Sequence, residues 1–208
     1  EALDVDAVVL AVTAPAAREL LAEVALAASA GFGQIRLAST AIVAVALPSD
    51  VSLPESSGVL IGSGEKHADG TPFTAKAFTY CSRKWPHIHT PEQVFVRGSV
   101  GKYGEDEILR RDDADLVRLV LSDLAELTGV TAKPIDAVVQ RWTGGLPQYG
   151  VGHLDLVAGI DRAVAELPGL AVVGNALNGV GLPACVNTAS AAATRIAEPL
   201  RDRVAQRR

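Results

Sequence analysis

The stretch that decides the fold is LAVVGNALNGVGLPACVNTASAAATR, residues 170–195. It begins with Leu170–Val173, an apolar run typical of a buried strand, which ends at Gly174. A loop with two further glycines follows. Pro183 then marks the start of a helix, because a proline there gives up an N–H that has no partner in the first helical turn. The stretch predicts a strand, a glycine loop and a helix in direct succession.

The glycine loop matches a nucleotide-binding pattern only in part. Gly179, Gly181 and Ala184 fit G-x-G-x-x-A, a spacing that lets a backbone approach a dinucleotide at a helix N-terminus. A Rossmann fingerprint also needs a second parallel strand with an acidic residue about 20 positions on, but a charged run follows to Arg208. A P-loop is excluded, because Val180 and the next glycine stand where Lys and Ser or Thr are required. Two interpretations remain. The positive end of the helix faces an electron-rich group, or the stretch is a tight strand-to-helix connection without a ligand.

Composition limits the classes of function. The 208-residue chain is 49% apolar and 4% aromatic, carries a formal net charge of -5, and has no apolar run of the roughly 18 residues that span a bilayer. We therefore expect a globular, soluble protein that does not span a membrane and does not bind nucleic acid. The two cysteines, Cys81 and Cys185, indicate neither a disulfide framework nor a zinc site, and they fit a reducing cytoplasm.

The beginning of the sequence predicts a longer protein. There is no Met, and an apolar segment starts almost directly after Glu1. We expect this chain to be the C-terminal part of a protein whose N-terminal half precedes Glu1. A processed N-terminus is the alternative.

Hydrophobic patterning predicts an α/β fold. Val5–Val12 is predicted to be a strand buried on both faces, followed by one helix from Thr13 to about Ala28. A helix from Asp112 to Gly129 has an apolar stripe, and a second one covers Leu154–Leu167. Besides the opening stretch, further strands are predicted at Ala38–Leu47, Val59–Ile61, Thr74–Cys81, Val94–Val100 and Ile135–Trp142. The short loops between the middle strands favour an antiparallel sheet.

Three local clusters could carry chemistry. His87 and His89 have a spacing that can hold a metal, but no third ligand is evident nearby, so no metal is expected. Trp85 follows two cations at the end of a strand, and Trp142 and Tyr149 precede a glycine-rich turn. Packing of the strand end and of the turn, without any ligand, is the alternative explanation for these two clusters. No nucleophile elbow or carboxylate pair is evident, so no catalytic side chain is predicted and a cofactor would carry the reaction.

Three motifs, in the same order along the chain, resemble the C-terminal half of the protoporphyrinogen and coproporphyrinogen oxidases, FAD enzymes of the amine-oxidase-like superfamily. They are SRKWPH (82–87), RWTGGLPQYGVGHLD (141–155) and LPGLAVVGNALNGVGLPACV (167–186). The resemblance implies that pieces of an FAD-binding Rossmann-like domain, residues 1–35 and 141–208, flank part of a substrate-binding domain, residues 36–140. That middle part is expected to be a mixed or antiparallel sheet with a covering helix. The dinucleotide-binding unit would precede Glu1.

The same resemblance implies two groups of site residues. Residues expected at the flavin are Trp142, Gly174, Asn175, Val180, Gly181 and Leu182. Residues expected at the substrate are Trp85, at a position where plant relatives place an aromatic residue against a pyrrole ring, and Leu60, near an apolar contact.

The implied function is oxidation of a porphyrinogen to the porphyrin in haem biosynthesis, in three rounds, with O2 reoxidising the flavin. Abundant Ala, Val and Arg with little Lys are typical of high-GC actinobacteria, whose family members resemble the coproporphyrin-producing branch. We therefore expect the complete enzyme to prefer coproporphyrinogen III over protoporphyrinogen IX. Another oxidase of the superfamily, acting on an amine or a carotenoid precursor, is an alternative, as is a non-catalytic porphyrin-binding module. Without its N-terminal half, the chain is expected to be inactive, to bind FAD poorly and to form homo-oligomers.

Overall fold

The computed structural model describes residues 2–88 and 90–206, with side chains as far as Glu198, and contains both strands and helices. The strands are β1 (Val8–Leu10), β2 (Arg36–Pro48), β3 (Gly58–Leu60), β4 (Ala75–Tyr80), β5 (Gln93–Val100), β6 (Asp136–Gln148) and β7 (Leu170–Val172). The helices are α1 (Ala14–Leu20), α2 (Leu26–Phe32), α3 (Cys81–Lys84), α4 (Asp113–Thr128), α5 (His153–Ala165) and α6 (Leu182–Gln206). Short 3-10 helices lie at Pro86–Ile88 and Glu107–Arg110. The α/β fold class is confirmed.

The chain divides into two units. A flanking unit consists of residues 1–37 and 146–208, and an inserted unit consists of residues 38–145. Each unit has its own apolar core. Among the described residues, no helix combines the length and apolar character needed to cross a membrane.

The flanking unit pairs β1 with β7 in parallel, with Val8 opposite Leu170. Helices α1, α2 and α5 form its main core with residues of β7, and this cluster reaches Leu10 at the end of β1. The prediction that Val5–Val12 is a strand buried on both faces is wrong. The strand is shorter, and Val8 and Val9 are 42% and 49% exposed, because the helices do not cover them.

The predicted helix from Thr13 to Ala28 is two helices, α1 and α2, joined by a turn. Ala25 has an extended φ of -145° before α2 begins. Helix α2 packs closely on α5 after the break. A Cβ on Gly31 would come within 2.6 Å of Ile160 Cγ1 in α5, so the α2 backbone approaches α5 directly at this glycine. Alanine-rich sequence favours helix at every one of these positions and contains no signal for the interruption.

The inserted unit is built on a sheet with the strand order β3-β4-β5-β2-β6. The pairs β3/β4, β4/β5 and β2/β5 are antiparallel, which confirms the predicted antiparallel sheet. Helix α4 covers this sheet and buries Leu116, Val120 and Leu124 against it. Contact is close at Gly98 of β5, where a Cβ would lie 2.5 Å from Val120 Cγ1.

Helix α4 begins and ends as its sequence predicts. The carboxylate of Asp112 accepts a hydrogen bond from the Asp115 N–H at 2.7 Å, which satisfies one of the free donors of the first turn. Gly129 ends the helix with a φ of 74°, a left-handed conformation that glycine adopts without a Cβ clash.

Strand β6 is longer than the predicted Ile135–Trp142 and continues to Gln148. It passes through Pro147, which has no N–H to offer a neighbouring strand. Because β6 lies at the edge of the sheet, that missing donor is tolerated. Two hydrogen bonds fix its position beside β2: Ile135 N donates to Ala46 O at 2.8 Å, and Gly144 N donates to Ser39 Oγ at 3.1 Å.

Candidate functional site

The glycine loop, Gly174–Gly181, joins β7 to α6 in the flanking unit. Two of its residues require glycine. Gly174 and Gly179 have φ values of 129° and 142°, in a region that residues with a Cβ rarely adopt. A Cβ on Gly179 would also lie 2.5 Å from the Ala184 Cβ in the first turn of α6. These glycines therefore let the loop fold tightly against the start of the helix.

The tip of the loop is open to solvent. Val180 and Leu182 are 49% and 83% exposed, and Gly181 is exposed as well. Cys185 N donates to Gly181 O at 3.1 Å, so the helical hydrogen bonding starts at that carbonyl. The start of a long helix carries a partial positive charge, and here it lies beside exposed apolar surface. This combination suits a flat, largely apolar group that gathers negative charge at one edge.

Two aromatic rings hold the loop from the side of α5. Tyr149 and His153 stack with their centroids 3.8 Å apart and their planes 12° from parallel. The Tyr149 hydroxyl donates to Asn175 O at 2.5 Å and accepts from Gly179 N at 2.9 Å. His153 Nε2 lies 2.7 Å from Leu177 O; since a carbonyl only accepts, this nitrogen carries the proton. The sequence placed these rings before a helix but gave no sign of their bonds to the loop.

A polar cavity of about 510 Å³ lies between α5, the glycine loop and α6. Its polar lining includes Asp161, Asn178, Asn187, Thr188 and Arg195. Burial raises the pKa of Asp161, and the charge of Arg195 partly opposes that shift. The cavity adjoins the loop but holds no arrangement of acid and base suited to catalysis.

Trp142 belongs to β6 in the inserted unit, and its side chain is 57% exposed. It lines a cavity of about 250 Å³ together with its neighbour Arg141. The Arg141 guanidinium donates to Leu109 O at 3.0 Å, to Arg111 O at 2.6 Å and to the Asp113 carboxylate at 2.5 Å. These hydrogen bonds use the Arg141 guanidinium to hold the start of α4. The exposed Trp142 side chain, by contrast, is accessible to a ligand.

The SRKWPH motif (82–87) contains two side chains that bond to the backbone of the inserted unit and a half-buried tryptophan. Ser82 Oγ accepts from Phe95 N at 2.8 Å, and Arg83 donates to Leu53 O at 3.1 Å, so both stabilise the inserted unit. Trp85 is half-buried directly after α3. The ammonium of Lys84 lies 4.8 Å from the centroid of the Trp85 ring, a cation–π contact that places a positive charge over one face of the indole.

Leu60 lies at the end of β3, the strand at the other edge of the same sheet. Its side chain is 85% exposed. An apolar side chain this exposed on an edge strand gains nothing from the fold itself.

Among the residues that the structure describes, no cluster of three or more potential metal ligands occurs. His87 lies in the 3-10 helix after Trp85, and His89 lies outside the described residues. Cys81 and Cys185 are free thiols in different units. Burial raises the pKa of Cys81, which keeps its thiol protonated.

Sequence reasoning missed a second histidine network. His67 Nε2 lies 2.7 Å from Asp123 Oδ1, and the ring stacks on Phe73. The other carboxylate oxygen of the buried Asp123 accepts from Thr74 N at 2.9 Å and Ala75 N at 2.6 Å. The network ties the β3–β4 loop to α4. An aspartate on the apolar stripe of a predicted helix was the available signal.

Comparison with known proteins shows which family the sequence matches. The family described as flavin containing amine oxidoreductase matches residues 1–197. The coproporphyrinogen III oxidase of Mycobacterium leprae is 41% identical over 187 residues, which are 90% of this chain and 39% of that protein. The coproporphyrinogen III oxidase of Mycobacterium bovis is 39% identical over 201 residues, 97% of this chain and 42% of that protein. The chain thus spans well under half the length of these curated relatives.

A crystal structure of a proposed protoporphyrinogen oxidase from Exiguobacterium sp. 255-15 has the same fold. It superimposes with a TM-score of 0.74 at 32% sequence identity, over 88% of this chain and 39% of that one.

Proposed function

Because this chain belongs to the family of flavin-containing amine oxidoreductases, we propose that it forms part of an FAD-dependent enzyme that oxidises coproporphyrinogen III, or protoporphyrinogen IX, to the porphyrin in haem biosynthesis. The glycine loop is the observation that carries this proposal. It presents the exposed apolar side chains of Val180 and Leu182 at the positive end of α6, and Gly181 between them has no side chain that would block a flat ring. The names of the relatives at 39% and 41% identity support the substrate class.

In this proposal, Val180, Gly181 and Leu182 lie against the isoalloxazine, with Gly174 and Asn175 beside it. A bound flavin supplies the redox chemistry by taking a hydride from the reduced tetrapyrrole. The loop and the start of α6 stabilise the negative charge that the reduced ring gathers, and they do so without reorganising. No side chain of this chain is assigned as an acid or base.

We assign residues 1–35 and 141–208 to an FAD-binding domain and residues 36–140 to a substrate-binding domain. Trp142 is proposed to line the flavin, and its exposure leaves it available for that contact. The pyrophosphate and ribose of FAD would be held by a dinucleotide-binding unit in the N-terminal half of the same protein. That expectation accords with the fraction of the relatives that this chain covers.

On the substrate side, Trp85 and Leu60 offer apolar surface to a macrocycle. One face of the Trp85 ring has the ammonium of Lys84 above it, so an apolar plane and a positive charge occur together. A porphyrinogen has the matching features, since its ring is apolar and its propionates are anionic. We further propose O2 as the electron acceptor and the cytoplasm as the location, which suits the two free thiols.

The full-length protein tests the proposal. It should be isolated with bound FAD, give the absorption spectrum of an oxidised flavin, and produce a fluorescent porphyrin from the porphyrinogen while consuming O2. We expect kcat/KM to be higher for coproporphyrinogen III than for protoporphyrinogen IX. A preference for protoporphyrinogen IX would contradict the choice of substrate.

Two other outcomes separate the alternatives. A protein that binds coproporphyrin tightly but contains no flavin would be a porphyrin-binding module, and the proposal would be wrong. A flavoprotein that oxidises amines and leaves both porphyrinogens unchanged would belong to another branch of the family.

A further inference from the structure

Tyr149 and His153 have no role in the function proposed above, although both side chains bond to the glycine loop. Together these two side chains engage backbone groups of three alternating loop residues: the carbonyls of Asn175 and Leu177 and the N–H of Gly179. Both rings come from the short segment that enters α5, and they stack on each other. A stacked pair bonded at three points is more rigid than either ring alone, because neither ring can rotate without breaking the stack.

Gly179 is held at both its N–H and its carbonyl. Gly179 N–H donates to Tyr149, and the Gly179 carbonyl lies 3.9 Å from the Cys185 sulfur, within the range of a weak S–H hydrogen bond. Gly179 is also the residue that packs against Ala184. Gly179, directly before the exposed Val180, is therefore held at its N–H, at its carbonyl and at its Cα.

Burial and protonation support this arrangement. His153 is 8% exposed, so its bond to Leu177 O is shielded from water. Burial raises the pKa of the Tyr149 hydroxyl, which keeps the proton that the phenol donates to Asn175 O. The carbonyls of Asn175 and Leu177 accept these bonds and so point toward the rings.

We infer that Tyr149 and His153 are positioning residues for the flavin: they lock the glycine loop in the conformation that meets the isoalloxazine and thereby set FAD affinity and the potential of the bound flavin. The inference rests on the proposed function. Neither side chain is assigned a contact with flavin or substrate, so their effect passes through the backbone of the loop. An unlocked loop loses preorganisation, and the negative charge of the reduced flavin is then less well stabilised.

Tyr149→Phe in the full-length enzyme is the decisive variant, because phenylalanine keeps the stack on His153 and removes only the hydroxyl. We expect the Kd for FAD to rise about tenfold, since two hydrogen bonds to the loop are lost. The flavin midpoint potential should become more negative, while KM for the porphyrinogen stays near the wild-type value. Tyr103→Phe is the matched control, because Tyr103 is an exposed tyrosine of the inserted unit.

His153 gives an independent series. His153→Gln retains an N–H that can reach Leu177 O and should keep most of the FAD affinity, whereas His153→Leu should lose it. The apoprotein melting temperature is measured for each variant.

Three outcomes would overturn the inference. Wild-type FAD affinity and midpoint potential in Tyr149→Phe would remove the positioning role. A loss of affinity that only follows a fall in apoprotein melting temperature would make the residues structural. If the wild-type enzyme itself binds no flavin, the proposed function fails first, and that result is distinct from the other two.

Discussion

Trp85 is the single side chain on which the proposed substrate contact depends most. It is half-buried, it follows α3 directly, and it has the ammonium of Lys84 over its ring. Its neighbours Ser82 and Arg83 bond to backbone groups of the inserted unit and keep this corner in place. The indole is therefore presented from a fixed base.

Trp85→Ala in the full-length enzyme should raise KM for coproporphyrinogen III about tenfold and leave the FAD content unchanged, because the aromatic plane is lost while the flavin contacts remain. Steady-state kinetics and the flavin absorbance per protein measure the two effects. Trp85→Phe is the matched control and should retain most of the affinity. If the alanine variant loses its flavin, Trp85 is a structural residue instead.

Asp123 shows how one buried carboxylate can organise a loop. Its carboxylate accepts hydrogen bonds from the N–H groups of Thr74 and Ala75 and from the His67 ring. These three donors lie in the β3–β4 loop or at the first residue of β4. The carboxylate is almost wholly buried. Removing it leaves those donors without partners in an environment that water does not reach.

Asp123→Ala is expected to destabilise the inserted unit by roughly 3 kcal/mol or more, since each buried donor left unpaired costs about 1–3 kcal/mol. Denaturant unfolding measures the loss, and hydrogen exchange at the Thr74 and Ala75 amides should become faster. Asp115→Ala on the same helix is the control, because its ion pairs with Arg111 and Arg118 are exposed and should contribute little. Equal effects of the two variants would show that the network adds no stability.

At the scale of elements, the contact of α2 with α5 sets the path of the chain in the flanking unit. The contact depends on the missing side chain of Gly31, which lets the backbone of α2 meet Ile160. The interruption between α1 and α2 brings Ala28 and Phe32 into the same buried cluster.

Gly31→Ala should therefore destabilise the flanking unit by about 1–3 kcal/mol, because the added methyl group would overlap Ile160 and force the helices apart. Gly159→Ala is the matched control. It is also a helical glycine, but its Cβ would meet only the end of Arg162 at 3.9 Å. That substitution should stabilise α5 by roughly 0.5–1 kcal/mol, as alanine does in a helix interior. Thermal unfolding compares the two variants, and a stabilised Gly31→Ala would refute the close contact.

The elements that could be predicted from sequence are those with local signals. Asp112 and Gly129 mark both ends of α4, and the glycine loop is evident from the residues around Pro183. The break before Leu26 could not be predicted, because the alanine-rich sequence contains no local signal for it. The bonds of Tyr149 and His153 to the loop could not be predicted for the same reason: the motif is local, but its partners are not.

At the scale of the whole molecule, the residues proposed to contact flavin and substrate belong to two structural units. The glycine loop belongs to the flanking unit, whereas Trp85, Leu60 and Trp142 belong to the inserted unit. The proposed flavin contacts thus occur in both units, whereas both proposed substrate contacts belong to the inserted unit. That the chain alone should bind FAD poorly and self-associate stays a prediction.

The bond from Gly144 N–H to Ser39 Oγ joins the first and last strands of the inserted unit where the chain enters and leaves it. Once that bond and the β2–β6 pairing have formed, the two segments of the flanking unit are linked by a short effective loop instead of a long one. The entropy lost on closing a loop rises with the logarithm of its length, so the inserted unit lowers the entropic barrier to pairing β1 with β7. We therefore expect the middle of the chain to fold before its two ends assemble the parallel sheet from which the glycine loop emerges.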